Sequence, residues 1–252
     1  MDRNLLLTLR YNGAYFHGSA VQKNAVTVCG TLQPALERIV GEKILIKCCS
    51  RTDAGVHAEM FCLSFHTKSS IEPQRLVLAL NNSLPEALAA YACREVPPGF
   101  HARYSCLGKR YLYKIHNSPV KNPFLIDLCC HHRYPLDVER LNRACQDFLG
   151  RHDFSAFCAS GSDVADRVRT ITDCSLRREG ELVSFEVAGD GFLYNMVRIM
   201  VGTLLKMSYG RIAPDAIPEI LRARERKNAG PTAPAAGLYL KEVYYDLPDP
   251  EN

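Results

Sequence analysis

One order of elements is repeated twice along this chain, and that repetition limits the folds open to it. Residues 4–11 alternate, with Leu5, Leu7, Leu9 and Tyr11 on one side, the mark of a strand with one packed face. The pattern then predicts a helix over residues 32–40, with Thr31 as its N-cap and Pro34 in its first turn. Strands over 43–49 and 60–65, a helix over 73–84 and a strand over 87–96 complete a β-α-β-β-α-β order, the split motif of ferredoxin-like folds. The second half follows suit. A strand spans 104–117, Asp137 caps a helix running to Leu149, and strands over 171–178 and 182–188 turn at Glu179-Gly180-Glu181. Helices over 192–207 and 214–224 precede a last strand over 238–245. The expectation is an α+β fold of two ferredoxin-like (βαββαβ) halves, forming a continuous mixed/antiparallel sheet with helices on one face and the other face free for a partner. The first domain covers residues 1–102 and carries the Asp53 loop; the second covers 103–247, with insertions, before a tail at 248–252.

Composition excludes several classes. No apolar run approaches the roughly 20 residues of a membrane span, and the start of the chain has no signal-peptide pattern, so a cytoplasmic protein is expected. Eleven cysteines, odd in number and never spaced C-x-x-C, read as reduced thiols serving as small apolar side chains. Cys129-Cys130-His131-His132 does not promise a metal site, because neighbours on a strand point to opposite faces and cannot close one tetrahedron. A net charge of +4 suits a polyanionic partner without demanding one. No phosphate-binding Walker loop, dinucleotide fingerprint, zinc-protease motif or nucleophile elbow is present. Paired-carboxylate chemistry would need a second acid, for which Asp190 is the only tempting candidate.

Three places could carry chemistry. The stretch from Ser50 to Glu59 sets Arg51, Asp53 and Gly55 between two strand patterns. Asp53-Ala54-Gly55 is ordinary turn chemistry, yet a loop held by two strands also presents side chains to a cleft. Arg51, two residues earlier, projects to the same side if the backbone is extended. Arg198 interrupts a helix that is apolar nearly all round, so it either snorkels to the surface or pairs with a buried anion. Tyr111 and Tyr113 share one face of a strand; packing explains either, and so does stacking on a nucleic-acid base, worth about 1–3 kcal/mol. The residue types alone leave each pair of readings open.

Identity of the motifs goes further. Arg51-Thr52-Asp53-Ala54-Gly55-Val56-His57-Ala58 stands with Gly108-Lys109-Arg110-Tyr111-Leu112-Tyr113 and with Asp153-Phe154-Ser155-Ala156-Phe157-Cys158. Gly191-Phe192-Leu193-Tyr194-Asn195-Met196-Val197-Arg198 and Ala235-Ala236-Gly237-Leu238-Tyr239-Leu240 follow. In order and spacing, from Leu5 to Tyr245, these five resemble the motifs of the TruA family of tRNA pseudouridine synthases. The resemblance implies an isomerase that turns uridine into pseudouridine at positions 38–40 of the tRNA anticodon stem-loop. It works as a homodimer, with no cofactor and no metal.

By the same resemblance, Asp53 is the nucleophile, Arg198 the cation that keeps it ionised, and Tyr111 the aromatic that stacks on the flipped uracil and is a candidate to take its C5 proton. Leu238 packs in the uracil pocket, and Arg51 is a candidate for a phosphate or active-site contact. Two departures stand out. Where the family usually carries Gly-Trp-Gln, this chain reads His17-Gly18-Ser19-Ala20-Val21-Gln22 and has no tryptophan. The pattern Met-Val-Arg-Asn-Ile-Val-Gly becomes Met196-Val197-Arg198-Ile199-Met200-Val201-Gly202. Neither change touches Asp53, Tyr111 or Arg198; both lie where RNA grip or site choice is set.

Overall fold

The opening alternation becomes strand β1 (Arg3–Tyr11) in a computed structural model that describes residues 2–162 and 164–248. Helix α1 (Val28–Val40) starts four residues earlier than its spacing suggests. Thr27, not Thr31, is the N-cap: its hydroxyl accepts from the Gly30 amide at 3.2 Å, and the added turn buries Val28 and Cys29. Pro34 therefore lies inside the helix rather than in its first turn. Strand β2 shrinks to Lys47–Cys48. Side chains of α1 intercept the residues before it: the Ile44 amide donates to Glu37 Oε1 (3.2 Å), and Gln33 Nε2 donates to the Ile44 carbonyl (3.0 Å). Backbone groups satisfied in this way are not available to a ladder. Strand β3 (His57–Thr67), helix α2 (Pro73–Asn81) and strand β4 (Leu88–Val96) complete the expected order.

β1 lies between β3 and β4, antiparallel to both, and β2 pairs antiparallel with the far half of β3 through Lys47↔Ser64 and Cys48↔Leu63. One face of this sheet carries Leu5, Leu7 and Leu9 opposite Phe65, Leu63 and Phe61, all without exposed surface, as are Leu32 and Leu36 of α1 and Leu76 and Leu80 of α2. The other face is covered in part. Asn4 Nδ2 donates to the Phe100 carbonyl (2.8 Å), and the Ala102 amide donates to Ser64 Oγ (3.0 Å), so the segment after β4 crosses this face at Asn4 and Ser64, while Arg10 on the same face stays exposed. A polar Asn and Ser, each matched to backbone, make that cover possible.

The second unit, residues 108–238, is organised around β5 (Cys106–Asn117). After β6 (Cys130–His132), helix α3 (Val138–Cys145) starts where Asp137 Oδ1 accepts from the Arg140 amide at 3.0 Å. Then come β7 (Gly150–Asp153), β8 (Val168–Glu179), β9 (Leu182–Gly189), α4 (Met196–Ser208) and α5 (Ile217–Ala223). The antiparallel order is β5-β9-β8-β7, with β6 parallel to β5 on the other side. Helix α3 packs against β8 and α4. α4 begins later than its apolar pattern suggests, because Asn195 adopts the left-handed conformation (φ 58°) and starts the helix from there.

Strand β10 (Leu238–Tyr245) ends the series. Tyr239 and Leu240 pair in parallel with His57 and Ala58, and the Tyr245 hydroxyl donates to the Ala102 carbonyl (2.6 Å). Whereas the sequence reading runs a second domain from 103 to 247, these contacts gather residues 239–248 with residues 2–107. The fold is α+β, with a mixed sheet in each unit. All eleven cysteines are free thiols, most of them buried. Among the described residues no helix is long and apolar enough to cross a membrane.

The link between α1 and β2 is sensitive to acid. Lys43 Nζ at 2.7 Å, Gln33 Nε2 and the Ile44 amide hold the Glu37 carboxyl down to about 2, from an ordinary value of 4.5. A depressed carboxyl contributes stability that is fully present above the unfolded value and is lost as pH falls towards the folded one. The stability gap between wild type and Glu37→Gln is therefore expected to shrink between pH 6 and pH 3, read as urea midpoints. A gap unchanged by acid would refute this.

Candidate active site

Asp53 stands in a loop that another irregular segment holds in place. The Val56 amide donates to the Asp53 carbonyl (3.1 Å), closing a turn whose third residue, Gly55, has φ +79°, a conformation glycine adopts without cost. This is the turn chemistry the sequence announces, and it leaves the Asp53 side chain half-buried. The strap formed by residues 13–26 lies on the loop. The Gly55 amide donates to the Phe16 carbonyl (3.3 Å), the Ser19 amide to the Thr52 carbonyl (3.1 Å), and the Thr52 amide back to Ser19 Oγ (2.9 Å). Tyr11 and Thr52 share a hydroxyl hydrogen bond of 2.8 Å, and the Gly13 amide donates to His57 Nδ1 (3.1 Å). His57 in turn stacks on Tyr239 with ring centroids 4.4 Å apart. Thr52 and His57 are buried, whereas Arg51 is exposed.

Sequence reading missed Ser19 and Tyr11 as partners of this loop. The signal available for Ser19 was its place in the segment that departs from the family pattern. Tyr11 showed only as the last apolar residue of an alternating strand.

The remaining expected residues lie in the second unit. Tyr111, on β5 opposite Val187, is buried, and its ring meets Phe192 edge-on at 5.0 Å. The structure thus brings together Tyr111 and the motif that leads to Arg198. Arg198 on α4 is half-buried rather than extended into solvent. Its Nε donates to the Ala233 carbonyl (2.7 Å), its Nη1 to Asn195 Oδ1 (2.8 Å), and its own carbonyl accepts from the Ala233 amide (3.0 Å). Fixed acceptors on two sides rule out a snorkelling side chain. Leu238, also buried, follows the single turn Ala235–Gly237 into β10. Tyr113 has no exposed surface; burial pushes its phenol up, and its hydroxyl donates to the Pro234 carbonyl (2.8 Å).

Other tempting groups have structural work. Asp190 Oδ1 accepts from the Thr170 amide (2.9 Å). Asp153 Oδ1 caps the Ser155 amide (2.9 Å) while its Oδ2 meets Arg224 Nε (3.2 Å), and Phe154 and Phe157 of the same motif are core. His131 Nε2 bonds the Ser118 carbonyl (2.8 Å) and His132 Nδ1 the Tyr209 hydroxyl (3.1 Å), away from one another as strand alternation requires. Among the described residues no three His, Cys, Asp or Glu side chains gather to hold a metal ion.

Known proteins carry the same sequence pattern. A family model described as tRNA pseudouridine synthase matches residues 9–105 and 144–246. The tRNA pseudouridine synthase A of Acetivibrio thermocellus is 50% identical over 243 residues, covering 96% of this chain and 100% of that protein. That of Moorella thermoacetica is 46% identical over 243 residues (96% and 99% covered), and that of Ruminiclostridium cellulolyticum 43% over 244 (96% and 100%). A chain in the crystal structure of a Cbf5-Nop10-Gar1 complex overlaps at a TM-score of 0.35 and 12% identity, over 78% of this chain and 45% of that one, a likeness too slight to argue from.

The strap and the loop approach so closely that a Cβ added at Gly13 would lie 2.1 Å from the Val56 carbonyl oxygen. Gly13→Ala is expected to lower stability by about 1–3 kcal/mol, the cost of forcing atoms into a packed site. Urea denaturation checks this, and a wild-type midpoint would show that the approach is loose.

Proposed function

The chain belongs to the TruA family of tRNA pseudouridine synthases, isomerases that act on tRNA, and from that premise we propose that it converts uridines 38–40 of the anticodon stem-loop, with Asp53 as nucleophile. The observation that carries this reading is the family's Arg-Thr-Asp-Ala-Gly turn, here Arg51–Gly55, held by the strap with the Asp53 carboxylate half-buried.

The reaction rearranges one nucleoside. Asp53 bonds transiently to the target and is released again as the rearranged bond forms. The N1–C1′ bond breaks, uracil rotates, C5 joins C1′, and the proton on C5 departs while N1 gains one. Substrate and product are isomers, so no electron or group is supplied from outside. By the family resemblance, Arg198 serves as the cation that acts with this carboxylate. Flipping the base out of its stack costs a few kcal/mol. Stacking on Tyr111, worth about 1–3 kcal/mol, and phosphate contacts such as Arg51 offset that cost. Leu238 lines the uracil pocket. The reading includes a homodimer working in the cytoplasm.

Two variants test it on tRNA carrying tritium at uridine C5, where isomerisation releases the label. Folded Asp53→Asn is expected to lose more than about 10³-fold in kcat, the scale of removing a nucleophile. Label release at the wild-type rate would reject the assignment, and no release by wild type would mark a binding protein instead. Arg198→Lys keeps the charge but loses the planar fork, and a fall in kcat of about 10²-fold is expected. An unchanged rate would remove Arg198 from the site.

A further inference from the structure

Ser19 uses all three of its polar groups, and each ties the strap to something rigid. Its amide donates to the Thr52 carbonyl (3.1 Å), its hydroxyl accepts from the Thr52 amide (2.9 Å), and its carbonyl accepts from the Cys29 amide in the first turn of α1 (3.0 Å). The side chain is 1% exposed, so it is not a surface for RNA. It sits in the segment where this chain departs from Gly-Trp-Gln.

Peptide groups are rigid planes, and a residue's side-chain direction follows from the planes on either side of it. The plane between Thr52 and Asp53 is held by the Ser19 amide, and the plane after Asp53 by the Val56 amide. The plane before Thr52 is held at its amide by the Ser19 hydroxyl (2.9 Å), while its other edge, the Arg51 carbonyl, accepts from Ser50 Oγ at the longer distance of 3.5 Å. Remove that hydroxyl and the buried Thr52 amide has a reason to turn towards another acceptor; the turn rotates Thr52 and pulls on the next plane, the one that leads into Asp53 and that the Ser19 amide must then hold by itself. We propose that Ser19 is a positioning residue for the isomerisation: by holding the Thr52 amide, its buried hydroxyl sets the direction in which the Asp53 carboxylate points. This rests on Asp53 being the nucleophile.

The experiment measures kcat and KM for C5-tritiated tRNA, normalised to folded protein by circular dichroism well below the melting temperature. Ser19→Ala is expected to lower kcat about ten- to a hundredfold, the scale of a displacement near 1 Å, with KM unchanged. Ser19→Thr, which restores the hydroxyl, is expected to recover most of the loss. If Ser19→Ala does not fold, Ser19→Cys, of similar size and a weaker acceptor, gives the same comparison. A wild-type kcat per folded molecule, with only a lower melting temperature, would make Ser19 merely structural and overturn the proposal. A raised KM at constant kcat would overturn it in favour of RNA binding. Asp53→Asn run alongside separates the two readings: if it is inactive while Ser19→Ala is normal, the positioning role alone fails, and if it is active, the nucleophile fails and the positioning role with it.

Discussion

A backbone amide buried away from water needs an acceptor, and this requirement shapes the irregular parts of the first unit. Neither the strap of residues 13–26 nor the loop of residues 50–56 forms helix or sheet over most of its length, so neither can satisfy its own peptide groups in a ladder. They satisfy each other instead, through Ser19 with Thr52 and Phe16 with Gly55. The strap is anchored in turn at α1, where the Gly18 and Ser19 carbonyls take the amides of Val28 and Cys29. A loop fixed at this many points behaves as an extension of the sheet that flanks it. An acidic side chain on such a loop needs little reordering before it reacts.

Much of this was legible in the residues. Alternation located β1, β3, β4 and β10 to within a few positions, because each has a packed face and strand side chains repeat every second residue. Where reading failed, a side chain outside the element decided the outcome. Thr27 competed with Thr31 for the cap of α1, and Glu37 with Gln33 took the backbone of Ile44 that would have lengthened β2. The free sheet face is partly covered for a similar reason. Asn4 and Ser64 look like outward-facing polar residues, yet both are matched to a chain segment about forty to a hundred residues away, which no local pattern reveals.

The site was legible to a different degree. Motifs named Asp53, Tyr111 and Arg198, while the Ser19 hydroxyl, the Tyr11 hydroxyl and the Ala233 carbonyl that accepts from Arg198 come from distant parts of the chain. Arg198 illustrates the limit. An arginine in an apolar helix has two reasonable fates, and the Ala233 carbonyl, delivered by a Pro/Ala-rich loop, together with Asn195 Oδ1 holds the side chain back from the first, extension into solvent. The same loop places its Pro234 carbonyl on Tyr113, so one irregular segment orders side chains from a helix and a strand.

The parallel pairing of β10 with β3 has a consequence for how the chain reaches its native state. Tyr239 joins His57 across most of the polypeptide, and a contact of such long range forms late, after the entropy of closing the intervening loop has been met. His57 directly follows the turn that bears Asp53, so the strand synthesised last among those described borders the residues expected to react. A growing polypeptide holding every upstream motif still lacks that neighbour, so the loop gains this bordering strand only once residues 238–245 have been made.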